Sequence, residues 1–447
     1  MRNLSLISAT LLCLLSPRIE AQTARFIKEY EIQRLGLLHP NGYGYAGDLN
    51  NLGEATGTGL APNGMSEHGW IYSNGTLTDL GTLGSTYSWG LGINDDTTVV
   101  GYSMVSSLVI HAFEWSNGSM QLMDPGGYNF SRANAINHLG DTVGILNGFF
   151  GGFQTTLRGY VTTGGLPTVL DTFGGTESRA EDINDHGQIT GMARNANGQI
   201  RGFLHDTGVM NDIGDLGDTY CWPLAINDKA SIVGRARIPG GLYRAFRHDG
   251  ASPQDLGTLG GAESEARDIN NRGEIVGQAE DALGNQRAFH LFRGRMRDLN
   301  ELVHPSFGWM LTGAGAINEL GQILGTGRFQ GVRHAYLLTP IREDLLYSGA
   351  VPGVAGTSAN AHVAGGQPGS TVHLYFGTAA GTTDVPGCPS LGIDIASPQL
   401  AGSALIDSDG RASIPVVLPA SLSGMTIRSQ VVDAGTCRVS RVATQTF

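Results

Sequence analysis

One tract recurs seven times in this chain and limits its folding more than any other feature. Ile or Leu is followed by Asn, a short turn and two spaced Gly residues, at Asn50, Asn94, Asn137, Asn184, Asn227, Asn270 and Asn318; the intervals are 44, 43, 47, 43, 43 and 48 residues. A period of this length marks a chain built from copies of one small unit, none of which can bury its apolar face alone. A second landmark places His or Arg before Gly or Ala and then an aromatic: His68-Gly69-Trp70, His111-Ala112-Phe113, Arg158-Gly159-Tyr160, Arg201-Gly202-Phe203, Arg244-Ala245-Phe246, Arg287-Ala288-Phe289 and His334-Ala335-Tyr336. A third is an Asp, usually opening Asp-Leu-Gly, at Asp79, Asp124, Asp171, Asp212, Asp255 and Asp298. Between them lie short alternating runs such as "QITGMAR", "RGFLHD" and "RAFRHDG", about four strands per copy, separated by Gly, Asn and Asp turns.

A four-strand unit of this length is the size of one propeller blade, and a straight stack of such units is the competing arrangement. A stack needs capping units, which the sequence lacks. The first copy opens with the Asn half and the last ends with the aromatic half, so the two ends are complementary. The expected fold is all-β: a seven-bladed β-propeller over residues 23–340, closed by N- and C-terminal strands.

The tracts "HAFEWSNG", "DLGTLGG" and "INDHGQITG" resemble the HAF-type extracellular repeat, and the resemblance covers residues 26–340. It implies a secreted repeat protein and no particular chemistry. The second and fifth copies depart from the pattern, with Asp124-Pro125-Gly126 in place of Asp-Leu-Gly and Ala230 in place of the turn Gly.

Residues 1–22 read as a secretory signal: Arg2, the apolar run Leu4 to Leu15, and Ile19-Glu20-Ala21 before Gln22. That run is too short to span a bilayer, and no later segment is apolar enough to do so. We expect a secreted, extracellular monomer. With 67 Gly and 40% apolar residues among 447, the chain has material for a core. Its formal net charge of -12 and lack of basic stretches argue against nucleic acid as a partner. In an oxidising compartment Cys388 and Cys437 are the natural disulfide, worth about 4 kcal/mol by closing a roughly 50-residue loop. Cys221 is left over.

Positions that stay the same in every copy read as structural. The sixth residue before each Asn is always small: Gly44, Ser88, Ser131, Ser178, Cys221, Ser264 and Thr312. Cys221 therefore reads as a buried thiol and not a nucleophile. The histidines of the second landmark alternate with arginines and read as interchangeable donors. "DINDHG" and "DINNRG" begin like calcium loops, but His186 or Arg272 occupies the fifth position and Ala193 or Ala279 the twelfth. They read instead as turns in which Asn folds back on the backbone and Gly takes a left-handed conformation. No metal or cofactor is expected.

Function is sought where the copies differ. The seventh and fifth residues before each Asn share one strand face: Tyr43 and Tyr45, Tyr87 and Trp89, Phe130 and Arg132, Glu177 and Arg179, Tyr220 and Trp222, Glu263 and Glu265; an insertion brings Phe307 and Trp309 to this region in the last copy. In a closed ring these residues gather at one opening and suit a glycan or an extended peptide. Simple gap-filling between blades is the plainer account of the aromatics. A second insertion, "LNGFFGGFQTT", presents Phe149, Phe150 and Phe153 in a Gly-rich loop as a lip or partner contact.

The favoured function is a secreted binding or interaction protein. The alternative is a carbohydrate-active enzyme, a glycosidase or lyase, using Glu177, Glu263 and Glu265 near Arg179; a structural envelope protein is a further one. No Gly-x-Ser-x-Gly, His-Glu-x-x-His, phosphate loop or dinucleotide fingerprint supports catalysis. Residues 345–447 change character, with runs such as "STVHLYFGT" and "GMTIRSQVVD", and are expected to form a β-sandwich module.

Overall fold

In the computed structural model the described residues are 30–447 apart from 108, 124–127, 151–152, 304–306, 341–345, 352, 386–391, 408–410, 436–437 and 441. The expected signal segment and the pair Cys388 and Cys437 lie outside them. The described residues are nearly all β, in short antiparallel strands, with 3-10 turns at Leu299–Glu301 and Ala420–Leu422. No helix among them is long and apolar enough to cross a membrane.

Each repeat forms its own antiparallel group, named here by its Asn. The Asn50 sheet runs Gly44–Leu49, Ala55–Leu60, Glu67–Ser73 and Thr76–Asp79 in chain order. The Asn94, Asn137, Asn184, Asn227 and Asn270 sheets repeat that order, the first two of these joined by one bridged pair, Phe130 with Ile110. The Asn318 repeat supplies only Trp309–Ile317, Ile323–Phe329 and Val332–Pro340. Its fourth strand is Tyr30–Arg34, paired antiparallel with Val332–Pro340 from Tyr30↔Pro340 to Arg34↔Tyr336. The two ends of the repeat region thus meet in one sheet. The sharing is more lopsided than the complementary halves expected from sequence, because the Asn50 sheet already holds its own aromatic strand and the N-terminal end adds a single outer strand.

Each landmark has a physical task. In every copy the Asn Oδ1 accepts the backbone N–H groups two and four residues ahead, as Asn184 does from His186 and Gln188. Its Nδ2 reaches the backbone carbonyl of the next copy's Asn. These links run Asn50 to Asn94, Asn137, Asn184, Asn227, Asn270, Asn318 and back to Asn50 at 2.9–3.3 Å. The string of hydrogen bonds closes on itself.

The aromatic landmark is a wedge between neighbouring sheets. Phe113, Phe203, Phe246, Phe289 and Tyr336 are fully buried, and the apolar clusters pair one sheet with the next: Val143 and Leu170 with Ile183 and Phe203, then Val233 and Ala245 with Ile275 and Phe289. Leu49, Ala55 and Trp70 likewise pack on Leu324, Ala335 and Leu337, across the junction of first and last repeats. Each buried Phe contributes about 1.5–3 kcal/mol. The preceding His or Arg pairs with the Asp landmark on the outer strand: His68–Asp79 at 2.9 Å, Arg201–Asp212 at 2.8 Å, Arg244–Asp255 at 3.6 Å and Arg287–Asp298 at 3.9 Å. His111 instead approaches Ser131, and His334 packs edge-on against Trp309.

The small slot also has a task. Ser88, Ser131, Ser178 and Ser264 each accept the backbone N–H of Gly69, Ala112, Gly159 and Ala245 in the preceding sheet. Cys221 occupies the same slot, fully buried, and burial pushes its thiol up.

The second Gly of the repeat answers a bulge. In each repeat the first strand slips register next to the third residue before Asn, as between Ala180 and Asp182 or Ala266 and Asp268. A Cβ on Gly191 or Gly277 would lie 2.0 or 2.1 Å from the carbonyl oxygen of Arg179 or Glu265, closer than any side chain can approach.

The insertion containing Phe149 and Phe153 extends a hairpin, Thr142–Phe150 with Phe153–Thr163, in place of the expected loop. Beyond residue 345, a three-strand sheet (Leu346–Val351, Ser358–Ala364, Ala412–Val417) and a five-strand sheet centred on Thr371–Gly377 and Thr426–Asp433 contribute jointly to one cluster, with Ala361, Val363 and Ile414 against Val372, Leu374 and Val431.

Candidate functional site

The first strand of each sheet runs from the variable aromatic positions to the Asn, so the ring has two chemically distinct ends. At the Asn end a second circuit follows the first. The residue after each Asn links to its counterpart in the next sheet: Asn51 N–H to Asp95, His138 to Asp185, Asp185 to Asp228, Asp228 to Asn271, Asn271 to Glu319, and Glu319 to Asn51. At the remaining junction the His138 ring lies between two carboxylates, Nε2 3.1 Å from Asp95 and Nδ1 3.1 Å from Asp185. Burial opposes its charge, but the two carboxylates outweigh burial and hold His138 well above the usual histidine range. Asp95 is held well below the usual carboxylate range by His138 and His362 despite burial.

Deeper in the axis, Asp48, Asp182 and Asp268 each span two sheets, accepting their own neighbour's N–H and that of Ile93, Ile226 or Ile317 in the next sheet. Burial raises all three, Asp48 to about 7 and Asp268 to about 6. Asp48 and Asp182 line a cavity of about 140 Å³ with the Asn circuit.

The chain's own C-terminal residues cover part of this end. Arg411 Nη1 donates to the Leu52 carbonyl at 2.8 Å, His362 Nε2 lies 2.8 Å from Asp95, and Leu320 packs on Ala364. A cavity of about 600 Å³ remains between them, lined by Asp228, Lys229, Arg272 and Glu319 on one side and Tyr347 and Gln445 on the other.

The opposite end carries the residues singled out from sequence. Trp222 and its cross-strand partner Arg235 form its centre. The Arg235 guanidinium lies over Trp222 (5.5 Å), Tyr220 (6.0 Å) and Tyr243 (5.1 Å), and its Nη1 is 2.9 Å from Glu265. Arg179 lies 5.3 Å over Trp222 from the neighbouring sheet. Glu177 binds Arg179 at 2.7 Å and Arg194 at 2.9 Å; these outweigh burial and hold its carboxyl below the ordinary range. Glu265 also pairs with Arg267. Glu263 accepts the Tyr243 N–H at 3.4 Å.

Elsewhere at this end the predicted residues form smaller pairs. Tyr43 meets Tyr45 edge-on and donates to Glu67 at 2.6 Å, while Arg333 covers the Tyr45 ring at 4.9 Å. Trp89 stacks on its cross-strand partner Tyr102. Arg132 Nε donates to Asn134. Tyr87 and Phe307 are exposed and Phe130 half-buried. Trp309 packs within its own sheet on Phe329 and Tyr336, while Leu311 and Gly313 hold the seventh and fifth places before Asn318.

The bulge residue, three before each Asn, is the next step of the same alternation, one beyond the pairs singled out from sequence. Three of these residues meet the expected ones: Asn134, Glu181 and Arg267. Asn134 Nδ2 donates to the Ala180 carbonyl and to Glu181; the Trp222 indole N–H donates to Glu181 at 3.1 Å. Burial pushes the Glu181 carboxyl up, against the pull of Arg132, Arg179 and Arg267. Carrying the alternation one step further along the strand reaches them.

No family model matches the chain, and no curated protein does. Among solved structures it is similar to the β-propeller domain of the Trilobed protease from Pyrococcus furiosus (9% identity, 66% of this chain and 93% of that one, TM-score 0.45). It is also similar to a putative TolB from Agrobacterium tumefaciens (13%, 60% and 94%, 0.38) and to a fucose-specific lectin from Aleuria aurantia (8%, 57% and 96%, 0.34).

Proposed function

We propose that this chain is an exported binding protein. In this reading residues 23–340 form a seven-bladed β-propeller of HAF-type repeats, with residues 345–447 as a β-sandwich module across its Asn end. The other end binds a glycan or an extended peptide. The observation that carries the reading is the cluster Arg179–Trp222–Arg235–Glu265, which draws side chains from three consecutive sheets into one fixed polar and aromatic patch. Side chains locked by mutual contacts lose little freedom when a ligand arrives, which favours binding.

Catalysis by the proposed carboxylates is less well supported. Glu177 is held below the ordinary carboxylate range by Arg179 and Arg194 and so carries no proton to give up near neutral pH, while Glu265 is engaged by Arg235 and Arg267. The test is a glycan and peptide array probed with the purified protein and with Trp222→Ala. Retention of a ligand class that Trp222→Ala loses supports the reading. An array blank for both proteins would favour an envelope component with no such ligand.

A further inference from the structure

The arginines at the centre of the variable end carry a more specific reading, which rests on the binding function just proposed. Arg132, Arg179 and Arg267 come from three different sheets and all act on Glu181. Arg235 joins them through Trp222 and Glu265. Four cations therefore face three carboxylates, Glu177, Glu181 and Glu265, in a chain whose formal net charge is -12.

Two of the four keep donors in reserve. Arg132 commits Nε to Asn134, and its closest carboxylate contact is Glu181 at 4.0 Å. Arg267 pairs through Nε with Glu265, and its side chain is 46% exposed. No hydrogen-bond partner is found among the described residues for their other guanidinium nitrogens. The aromatics serve this arrangement: Trp222 is covered by Arg179 and Arg235 and so fixes two guanidinium groups in place. Further out lie more carboxylates, with Glu67 beside Tyr43, Glu263, and Glu280 accepting from the Ala262 and Glu263 N–H groups. An extended polyanion would meet that acidic surround; a single carboxylate on an otherwise neutral body would not.

We infer that the ligand is an oligosaccharide ending in a uronic acid, whose one carboxylate is received by Arg132 and Arg267 above Glu181. Planar arginine forks match a carboxylate edge-on, and such charge-assisted pairs are about twice as strong as neutral hydrogen bonds.

The test uses the purified full chain on an array in which each uronate-terminated oligosaccharide stands beside its methyl ester, with peptides bearing a single Glu alongside. Uronates should bind about tenfold more tightly than their esters, and Arg132→Gln and Arg267→Gln should each shrink that preference about threefold or more with the circular dichroism spectrum unchanged. Added salt should weaken uronate binding and spare the esters. Equal binding of acid and ester would overturn the anion inference and leave the glycan face standing. Binding of the peptides alone, or of nothing, would overturn both.

Discussion

The two ends of the ring are built from the same strands and differ in what repeats. At the Asn end all seven copies place the same amide in the same turn, and every amide donates to the next sheet. At the other end the corresponding residues run from Tyr45 and Trp89 through Arg132, Arg179 and Trp222 to Glu265. Identity around a ring serves closure, because every junction poses the same geometric problem. Variation around a ring makes one direction differ from another, as a specific ligand requires.

Gly191→Ala should have the largest effect because it strikes both ends. Its Cβ would collide with the Arg179 carbonyl, at a cost of about 3 kcal/mol or more, and should displace Arg179 from Trp222. Urea denaturation reads the stability; an unchanged midpoint would refute the account of the bulge. Asn318→Ala removes the amide that closes the circuit, taking the acceptor from the Leu320 and Gln322 N–H groups and leaving the Asn50 carbonyl with the Gly53 N–H alone. About 3 kcal/mol should be lost, with ligand affinity of the folded protein unchanged. Loss of binding by a folded Asn318→Ala protein would mean that the two ends are not separable.

The Asn end should also set the pH response. Asp48 at about 7, Asp268 at about 6 and Glu319 at about 7 hold protons in the folded state that the unfolded chain releases near pH 4, so stability falls as pH climbs from about 4 to 7. His138, raised well above its usual value, contributes stability that is complete below about pH 6.5 and is lost as pH rises through its folded value. Asp95, depressed, contributes stability that is lost below about pH 4. The melting temperature should therefore peak near pH 4 and drop by about 5 °C toward pH 8. A melting temperature that rises over that range would contradict these assignments.

Trp222→Ala tests the reverse separation. It should weaken ligand binding about thirtyfold, equivalent to ~2 kcal/mol, with a smaller change in melting temperature than Asn318→Ala. The smallest effect is a gain. Ala230 and Thr97 adopt left-handed φ of 55° and 61° where the other copies have Gly, so Ala230→Gly should add about 1 kcal/mol. Thr97→Gly should add less, because it forfeits the hydrogen bond from Thr97 Oγ1 to Glu54 at 2.8 Å. Equal gains would show that this bond contributes nothing.

Much of the repeated frame was legible from spacing alone: the turns at each Asn and the buried slot that holds Cys221, whereas of the three histidines before the aromatic only His68 takes the Arg role of pairing with the Asp landmark among the described residues. The partners of the repeated residues were less legible. The acceptor of each Asn amide lies one full repeat further along, and a single sequence shows that both residues recur without showing that they touch. Glu181, Asn134 and Arg267 lie one step further along the alternation than the pairs singled out, at a bulge that interrupts the ladder, and spacing does not show which side chains they meet there. Arg235 escaped because it belongs to the second strand and reaches the site only by pairing opposite Trp222.

By itself the sequence determined what local chemistry can determine: strand length, turn type, which positions must be small and which must bury an aromatic, since these depend on a residue and its near neighbours. Only the tertiary structure decided that Tyr30–Arg34 completes the Asn318 sheet, that His362 and Arg411 lie across the Asn end, and that arginines from separate sheets surround Glu181. Those outcomes depend on curvature accumulated over the whole set of sheets, and curvature is a property of packing between distant segments.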